Sequence, residues 1–442
     1  MKKHFVRILA AVLMGCMLSA CGSGGKAASA PAESTTPSSQ APATEEKAEV
    51  AVSEISLFNN KVEIDDALKQ YAQTYEQLTG VKVNVTSYGG GGAIDSFGML
   101  KTMSQSGDLP EIFVIAGPTH YEQFKEYICD LSDQEWTQYT EQAYLGENGE
   151  VVGFPVAIEG YGLAYNARIL KEAGVDPNGI KTFSDIKSAF ETIDAIKDEL
   201  GLNCVVSMAA SPELNWVTGE QNFNVYLSGG LARDDDSMIN ALLSGQVDEQ
   251  RLRHYADYVE LLFQYANSKT MTVATYDAQV SEFALAKAAF VHQGNWIDPT
   301  LKESGIDFEM GYVPQAFLPT ATNGIFISAP TWYVVNSQSP GAEEAKKFLN
   351  SMAMTEEGHD YMVNIASMVP AFTNVKLTPA GRLSADVMRW NNEGEAYSWN
   401  QYHLPDGFAL NTLAPIFEQF AAGSIDKEGF IAGVTKAINS LK

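Results

Sequence analysis

Residues 54–88 read EISLFNNKVEIDDALKQYAQTYEQLTGVKVNVTSY. Ile55 and Leu57 alternate with polar neighbours, the period of a half-buried strand. Leu68, Tyr71, Ala72, Tyr75 and Leu78 then recur on one helical face, and Gly80 stops that helix. Val81, Val83 and Val85 return to a period of two. Four glycines, Gly89 to Gly92, precede a helical stretch around Phe97, Leu100 and Met103 and an apolar strand from Ile112 to Ile115. Strands alternating with helices predict a parallel, doubly wound sheet. Ligands of such sheets sit outside the carboxyl ends of the strands. Those ends are Phe58-Asn59-Asn60, Ser87-Tyr88 with the glycine loop, and Ala116-Gly117. Asn59, Asn60 and Tyr88 are therefore candidate ligand-binding residues, with turn formation the competing role for the asparagines.

A second α/β region follows. Thr182 precedes a helix bearing Ile186, Phe190, Ile193 and Ile196, stopped by Gly201. Val205 and Val206, Ala288 to Val291, Ile325 to Ser328 and Trp332 to Val335 read as strands, residues 247–266 as a helix, and the chain from Pro340 as mostly helical.

Toward the N-terminus the chain changes character. Lys2, Lys3 and Arg7 precede an apolar run that ends at Leu18-Ser19-Ala20-Cys21. That order is a secretory signal, with an apolar run short of the roughly 20 residues a membrane span needs. The small residues before Cys21 resemble the bacterial lipobox, which implies a lipidated Cys21 after removal of residues 1–20. Residues 21–51, rich in Gly, Ser, Ala, Pro and Thr, read as a flexible tether. The expected setting is the extracellular face of a bacterial cell membrane, with the membrane contacted through the lipid alone.

The 442 residues carry a net charge of −26, and the signal removes three cations, so the mature chain is more negative still. Nucleic acid is excluded as a partner on charge, because phosphate affinity comes from Lys and Arg. Of four cysteines, Cys16 leaves with the signal and Cys21 takes the lipid; Cys129 and Cys204 read as separate thiols. No CxxC and no His pair at ligand spacing occurs, and Asp234-Asp235-Asp236 misses the EF-hand spacing, so no metal or cofactor is expected. The glycine run Gly89–Gly92 lacks a P-loop ending.

Four segments together resemble the family-1 extracellular solute-binding proteins, ligand receptors of bacterial ABC importers, many of them for sugars. They are LPEIFVIAG (109–117) with LSD after it, GEVVGFPVAIEGYGLAYNARILKEAGVD (149–176), AKAAFVHQGNWI (286–297) and EEAKKFLNSMAMTEEGHDYMVNIASMVPAF (343–372). Glu111 departs from the aspartate usual in that family, with little expected consequence. The resemblance implies a two-lobed α/β fold, each lobe a mainly parallel sheet flanked by helices, with the ligand cleft between lobes. It places lobe 1 at 52–158 plus 292–328 and lobe 2 at 159–291 plus 329–442, with crossings near Ala157–Glu159, Val291–Gly294 and Ser328–Pro330. It implies a carbohydrate ligand, permease subunits of an ABC importer as partners, no catalysis, and a monomer.

A buried sugar needs aromatic faces for its C–H surfaces and polar groups for its hydroxyls. Glu159 and Tyr161 at the first crossing, and Asn295 and Trp296 at the second, meet that need by position. Trp216 in SPELNWVTGEQN and Trp399 in EAYSWNQY lie in polar, irregular surroundings that favour ligand contact, whereas Trp136, Trp332 and Trp390 read as packing residues. Polyamine receptors also combine Trp with carboxylates, and a glycosidase would pair carboxylates about 5–10 Å apart, for which Glu159 with Glu63 or Asp95 is conceivable. Both alternatives stay open at this point. If Cys21 carries the anchor, Cys21→Ser releases the protein from the membrane fraction into the medium; unchanged membrane association on fractionation would refute the lipid assignment.

Overall fold

The computed structural model describes residues 52–89, 96–233, 235–306 and 308–442. Cys21, the tether, Gly90 to Gly92, Asp95 and Asp234 lie outside the described residues. No helix among the described residues is long and apolar enough to cross a membrane.

Strand β1 (Glu54–Asn59) pairs in parallel with β2 (Lys82–Ser87) and β3 (Ile112–Ile115), with helices Asp65–Thr79 and Ser96–Ser106 as the crossovers. The first helix buries Leu68, Tyr71, Ala72 and Tyr75 on the sheet side, while Leu78 is exposed. Strands β4 (Tyr144–Leu145) and β5 (Val151–Pro155) lead to the chain's first exit from this sheet. Then come β6 (Glu159–Tyr161), β7 (Leu163–Asn166), β8 (Cys204–Ser207), β9 (Ala288–Val291), β10 (Met310–Val313), β11 (Ile325–Ser328), β12 (Trp332–Val335) and β13 (Ala396–Tyr397). Among the described residues the sheet orders are β2-β1-β3-β12-β5-β4, β10-β7-β9-β8 and β13-β11-β6.

The result is a two-lobed α/β fold. One apolar core joins residues 55–157 to 333–375; two further cores hold most of the remainder up to Ile438. Tyr71 and Tyr75 pack on Phe348 at 5.3 and 5.0 Å, which seats helix Ala342–Met354 on the first lobe. Glu111 ties β3 to its neighbours: its carboxylate accepts from Ser56 N at 2.8 Å, Ser56 Oγ at 2.6 Å and Ser339 Oγ at 2.7 Å. The longer side chain is thus used as a brace within the first lobe.

Two expectations need correction. The return segments sit in the opposite lobes from those expected: β10 pairs with β7 and β11 with β6 in the second lobe, while β12 pairs with β3 and β5 in the first. The chain stays in the second lobe through Val291–Gly294, where Tyr161 bridges Gly294. The strand pairings put its crossings near 157–159, 328–331 and, with Ile158 bridging Val369, around 369–381. Isolated apolar strands look alike in sequence whichever sheet receives them. The sheets are also mixed: β12 runs antiparallel to β3 and β5, β9 antiparallel to β7, and β11 antiparallel to β6, because strands that re-enter a lobe from a crossing arrive from the opposite end.

Helix Phe183–Ala195 begins with a capping box, in which Thr182 Oγ1 accepts from Asp185 N and Asp185 Oδ2 accepts from Thr182 N at 2.8 Å. This satisfies two backbone donors that the helix leaves open. Thr182→Ala is expected to lower stability by about 0.5–2 kcal/mol, read as a shift in the urea midpoint; no shift would show that solvent replaces the cap.

Candidate functional site

Elements from both lobes and from two crossings meet at one point. The carboxyl end of β1 supplies Lys61 and Glu63, the first crossing supplies Glu159, the turn after β9 supplies Asn295 and Trp296, and the third crossing supplies Met368. Lys61 is buried and its ammonium lies between two carboxylates, bonded directly to Glu159 and at 3.4 Å from Glu63. Burial works against the ammonium, but the attraction of Glu159 and Glu63 outweighs it and lifts Lys61 above the usual lysine range. For Glu159 burial raises the carboxyl, opposed by the Lys61 charge. The free space at this floor is about that of one water molecule. A sugar therefore enters only if the lobes part.

An aromatic group continues from the floor over the second lobe. Trp296 lies 6.2 Å from each of Trp216, Trp399 and Tyr161, and Trp399 stacks on Tyr402 at 5.8 Å. The Trp296 indole is held by a relay: its Nε1 donates to Gln293 Oε1 at 2.8 Å, Gln293 Nε2 to Gln279 Oε1 at 2.8 Å, and Gln279 Nε2 to Ser207 O at 3.1 Å. Gly294 makes this possible, because a Cβ there would fall 2.0 Å from the indole ring. The first lobe closes over the same group. Gly117, at the carboxyl end of β3 with φ +77°, approaches Tyr402 so closely that a Cβ would meet its side chain at 2.8 Å, and Thr119 Oγ1 donates to Leu404 O at 3.3 Å.

The structure sorts the candidates. Glu159, Asn295 and Trp296 line the floor. Trp216 is half-buried, Trp399 is buried, and neither indole N–H has a partner. Asn60 is half-buried with its Oδ1 unpartnered, and Tyr88 lies half-buried against Phe58 at 5.5 Å. Asn59 and Tyr161, and with them Asn295 of the floor, are engaged in internal hydrogen bonds. Asn59 is fully buried, accepting from Tyr333 Oη at 3.0 Å and Lys61 N at 3.2 Å and donating to Lys61 O at 2.6 Å and Ser87 Oγ at 2.9 Å. Tyr161 is fully buried, its hydroxyl donating to Gln221 O at 3.2 Å and accepting from Asn224 at 3.0 Å. Asn295 pins the first crossing, accepting from Gly160 N at 2.9 Å and donating to Ser384 Oγ at 3.1 Å. A polar residue at a strand end serves the turn as readily as a ligand, which is why spacing alone did not separate the two. Lys61, Gln293 and Tyr402 were not singled out, although Lys61 stands two residues past Asn59 at the same strand end.

Cys129 and Cys204 are free thiols in different lobes. Trp136 is a core residue as expected, while Trp332 is only half-buried, with its Nε1 donating to Gln142 O at 2.7 Å.

This chain belongs to the bacterial extracellular solute-binding protein family, whose description it matches over residues 70–388. It is 23% identical over 347 residues to the melibiose/raffinose/stachyose-binding protein MelE of Bacillus subtilis, covering 73% of this chain and 75% of that one. It is 22% identical over 395 residues to the maltooligosaccharide ABC transporter solute-binding lipoprotein of Streptococcus pneumoniae, covering 84% and 81%. In three dimensions it resembles RafE in complex with raffinose, with a TM-score of 0.73 at 17% identity over 88% of this chain and 99% of that one. A sugar transporter from Bacillus licheniformis in complex with stachyose gives 0.70 at 19% identity, over 88% and 100%.

Removing one partner of a buried pair leaves an uncompensated charge at a cost of about 3–5 kcal/mol. Glu159→Gln should fall at the low end of that range, since Glu63 remains. The Lys61→Met/Glu159→Gln double variant should recover most of the loss. Urea denaturation of the single and double variants checks this; a double variant as unstable as the sum of its parts would show that the pair is not a coupled unit.

Proposed function

We propose that this protein is an extracellular receptor that captures a neutral oligosaccharide between its lobes, closes on it by a hinge motion and delivers it to the permease of an ABC importer, held at the membrane by lipid on Cys21. The observation that carries the reading is the oriented Trp296 indole beside the Lys61–Glu159 pair, at a floor made by both lobes and two crossings. An indole offers a flat apolar face for a sugar ring, and the paired charges offer fixed donors and acceptors for hydroxyls. The relatives named above, which bind oligosaccharides by their names, support the same class of ligand.

The alternatives lose ground at this same floor. A polyamine needs free carboxylates, whereas Glu159 and Glu63 already flank a cation of the protein itself. A glycosidase needs two carboxylates free to act on the glycosidic bond, whereas Glu159 and Glu63 both engage the Lys61 ammonium. Hinge closure gives the transporter its signal, since only a loaded receptor favours the closed state.

A thermal-shift panel of melibiose, raffinose, stachyose and maltotriose against spermidine and putrescine tests the reading. A sugar at a hundredfold excess over its Kd stabilises the fold by about 2.7 kcal/mol; stabilisation by the amines alone would overturn it. On the sugar that binds, Trp296→Ala should lose at least about tenfold in affinity, taking stacking on nucleic-acid bases at about 1–3 kcal/mol as the scale. Trp296→Phe should keep part. Lost stability with unchanged affinity would return Trp296 to a packing role.

A further inference from the structure

The second lobe carries a carboxylate that nothing above has used. The chain turns as a π-helix over Val217–Asn222, a form that recurs at functional sites. Five of its six residues are buried, and the sixth, Glu220, is half-buried. No hydrogen bond or ion pair to another described residue engages its side chain, in contrast to Glu159 and Glu63. Burial alone pushes the carboxyl up to about 7. Tyr161 Oη donates to the carbonyl of the next residue, Gln221, at 3.2 Å, and the Tyr161 ring lies 4.9 Å from Trp399 and 6.2 Å from Trp296, which sets the π-turn against the aromatic group that the first lobe covers.

Two further unpartnered groups belong to the same group. Trp216 immediately precedes the π-turn, and Trp399 is 5% exposed; both indole N–H groups lack an acceptor. The two rings are linked through Trp296, 6.2 Å from each. A buried polar group without a partner costs about 1–3 kcal/mol, so the two indole donors left open around one aromatic surface call for an outside partner, and the half-buried Glu220 carboxylate is accessible to the same one. A sugar ring supplies one: its hydroxyls donate to a carboxylate and accept from N–H, while its faces lie on indoles.

We propose that Glu220, with Trp216 and Trp399, forms a second sugar-ring subsite on the second lobe, where Glu220 accepts a ligand hydroxyl and makes capture strengthen as pH rises through neutrality. The inference rests on the carbohydrate reading. The sign follows from linkage: a hydroxyl donor favours the ionised carboxyl, so binding is stronger above the carboxyl's midpoint than below it. With that midpoint at about 7, affinity at pH 8 exceeds that at pH 6 by at most about tenfold. Of the titratable groups near it, Tyr161 and Tyr402 feel the Glu220 charge and are themselves pushed well above the ordinary tyrosine range by burial, and Glu159 is held by Lys61. Burial also raises Glu418 on the neighbouring helix Ala414–Ala421, and the exposed His403 stands beside Tyr402.

Calorimetry with raffinose, and with maltotriose as a second probe, at pH 6 and pH 8 on the whole mature chain tests the proposal. The wild type should bind up to about tenfold more tightly at pH 8. Glu220→Gln, which keeps shape and fold but cannot ionise, should bind more weakly at pH 8 and show no pH dependence. His403→Gln and Glu418→Gln should keep the wild-type slope. A Glu220→Gln protein that matches the wild type at both pH values overturns the subsite while leaving the carbohydrate reading in place. A slope that disappears in His403→Gln or Glu418→Gln instead assigns the titration elsewhere and likewise overturns it. A wild type that binds neither sugar overturns the carbohydrate reading, and the subsite with it.

Discussion

The ammonium of Lys61 is out of water, and an unpaired charge in that position would cost several kcal/mol, on the order of 3–5. It is met by Glu63 from its own lobe and by Glu159 from the chain's first crossing. This arrangement ties the carboxyl end of β1 to the opening of β6. It also sets what the cleft floor offers a ligand. The charges of Lys61, Glu63 and Glu159 are paired with one another within the protein, so this floor presents fixed dipoles and hydrogen-bonding groups.

Around that pair the remaining order is steric. Gly294 has no side chain, so the Trp296 indole folds back over the backbone, and the Gln293–Gln279–Ser207 relay holds it there. Gly117 does the same for the opposing lobe, letting the end of β3 sit against Tyr402. The aromatic surface thus has one side built on second-lobe elements and one side supplied by Gly117 and Thr119 of the first lobe. Groups positioned by relays and close backbone contacts are prepared before a ligand arrives, which lowers the ordering cost of binding.

Much of the local architecture was legible in residue order. The alternation at Ile55 to Leu57 and Val81 to Val85, the helical face of Leu68 to Tyr75, and the Thr182 cap all correspond to elements found in the structure. The crossing near 157–159 came from the family resemblance, and the strand pairings put the chain's first exit from the first sheet there. Lobe membership of the returning strands was not legible in residue order. β10, β11 and β12 carry similar apolar patterns, and which sheet edge each one joins depends on where the crossings deliver the chain.

The candidate site divides along the same line. The family resemblance singled out Glu159 and Trp296, and the structure brings both to one floor. The sequence by itself determined the class of fold and the excess of acidic over basic side chains, and it offered residue types from which a sugar cleft can be assembled. Only the tertiary structure decided that Asn59, Tyr161 and Asn295 are consumed by internal hydrogen bonds, that Lys61 neutralises Glu159, and that Glu220 stands open beside the aromatic surface. The physical reason is that hydrogen-bond satisfaction and desolvation belong to a side chain's whole surroundings. Those surroundings come from segments hundreds of residues apart, as when Tyr333 meets Asn59, and no local pattern records them.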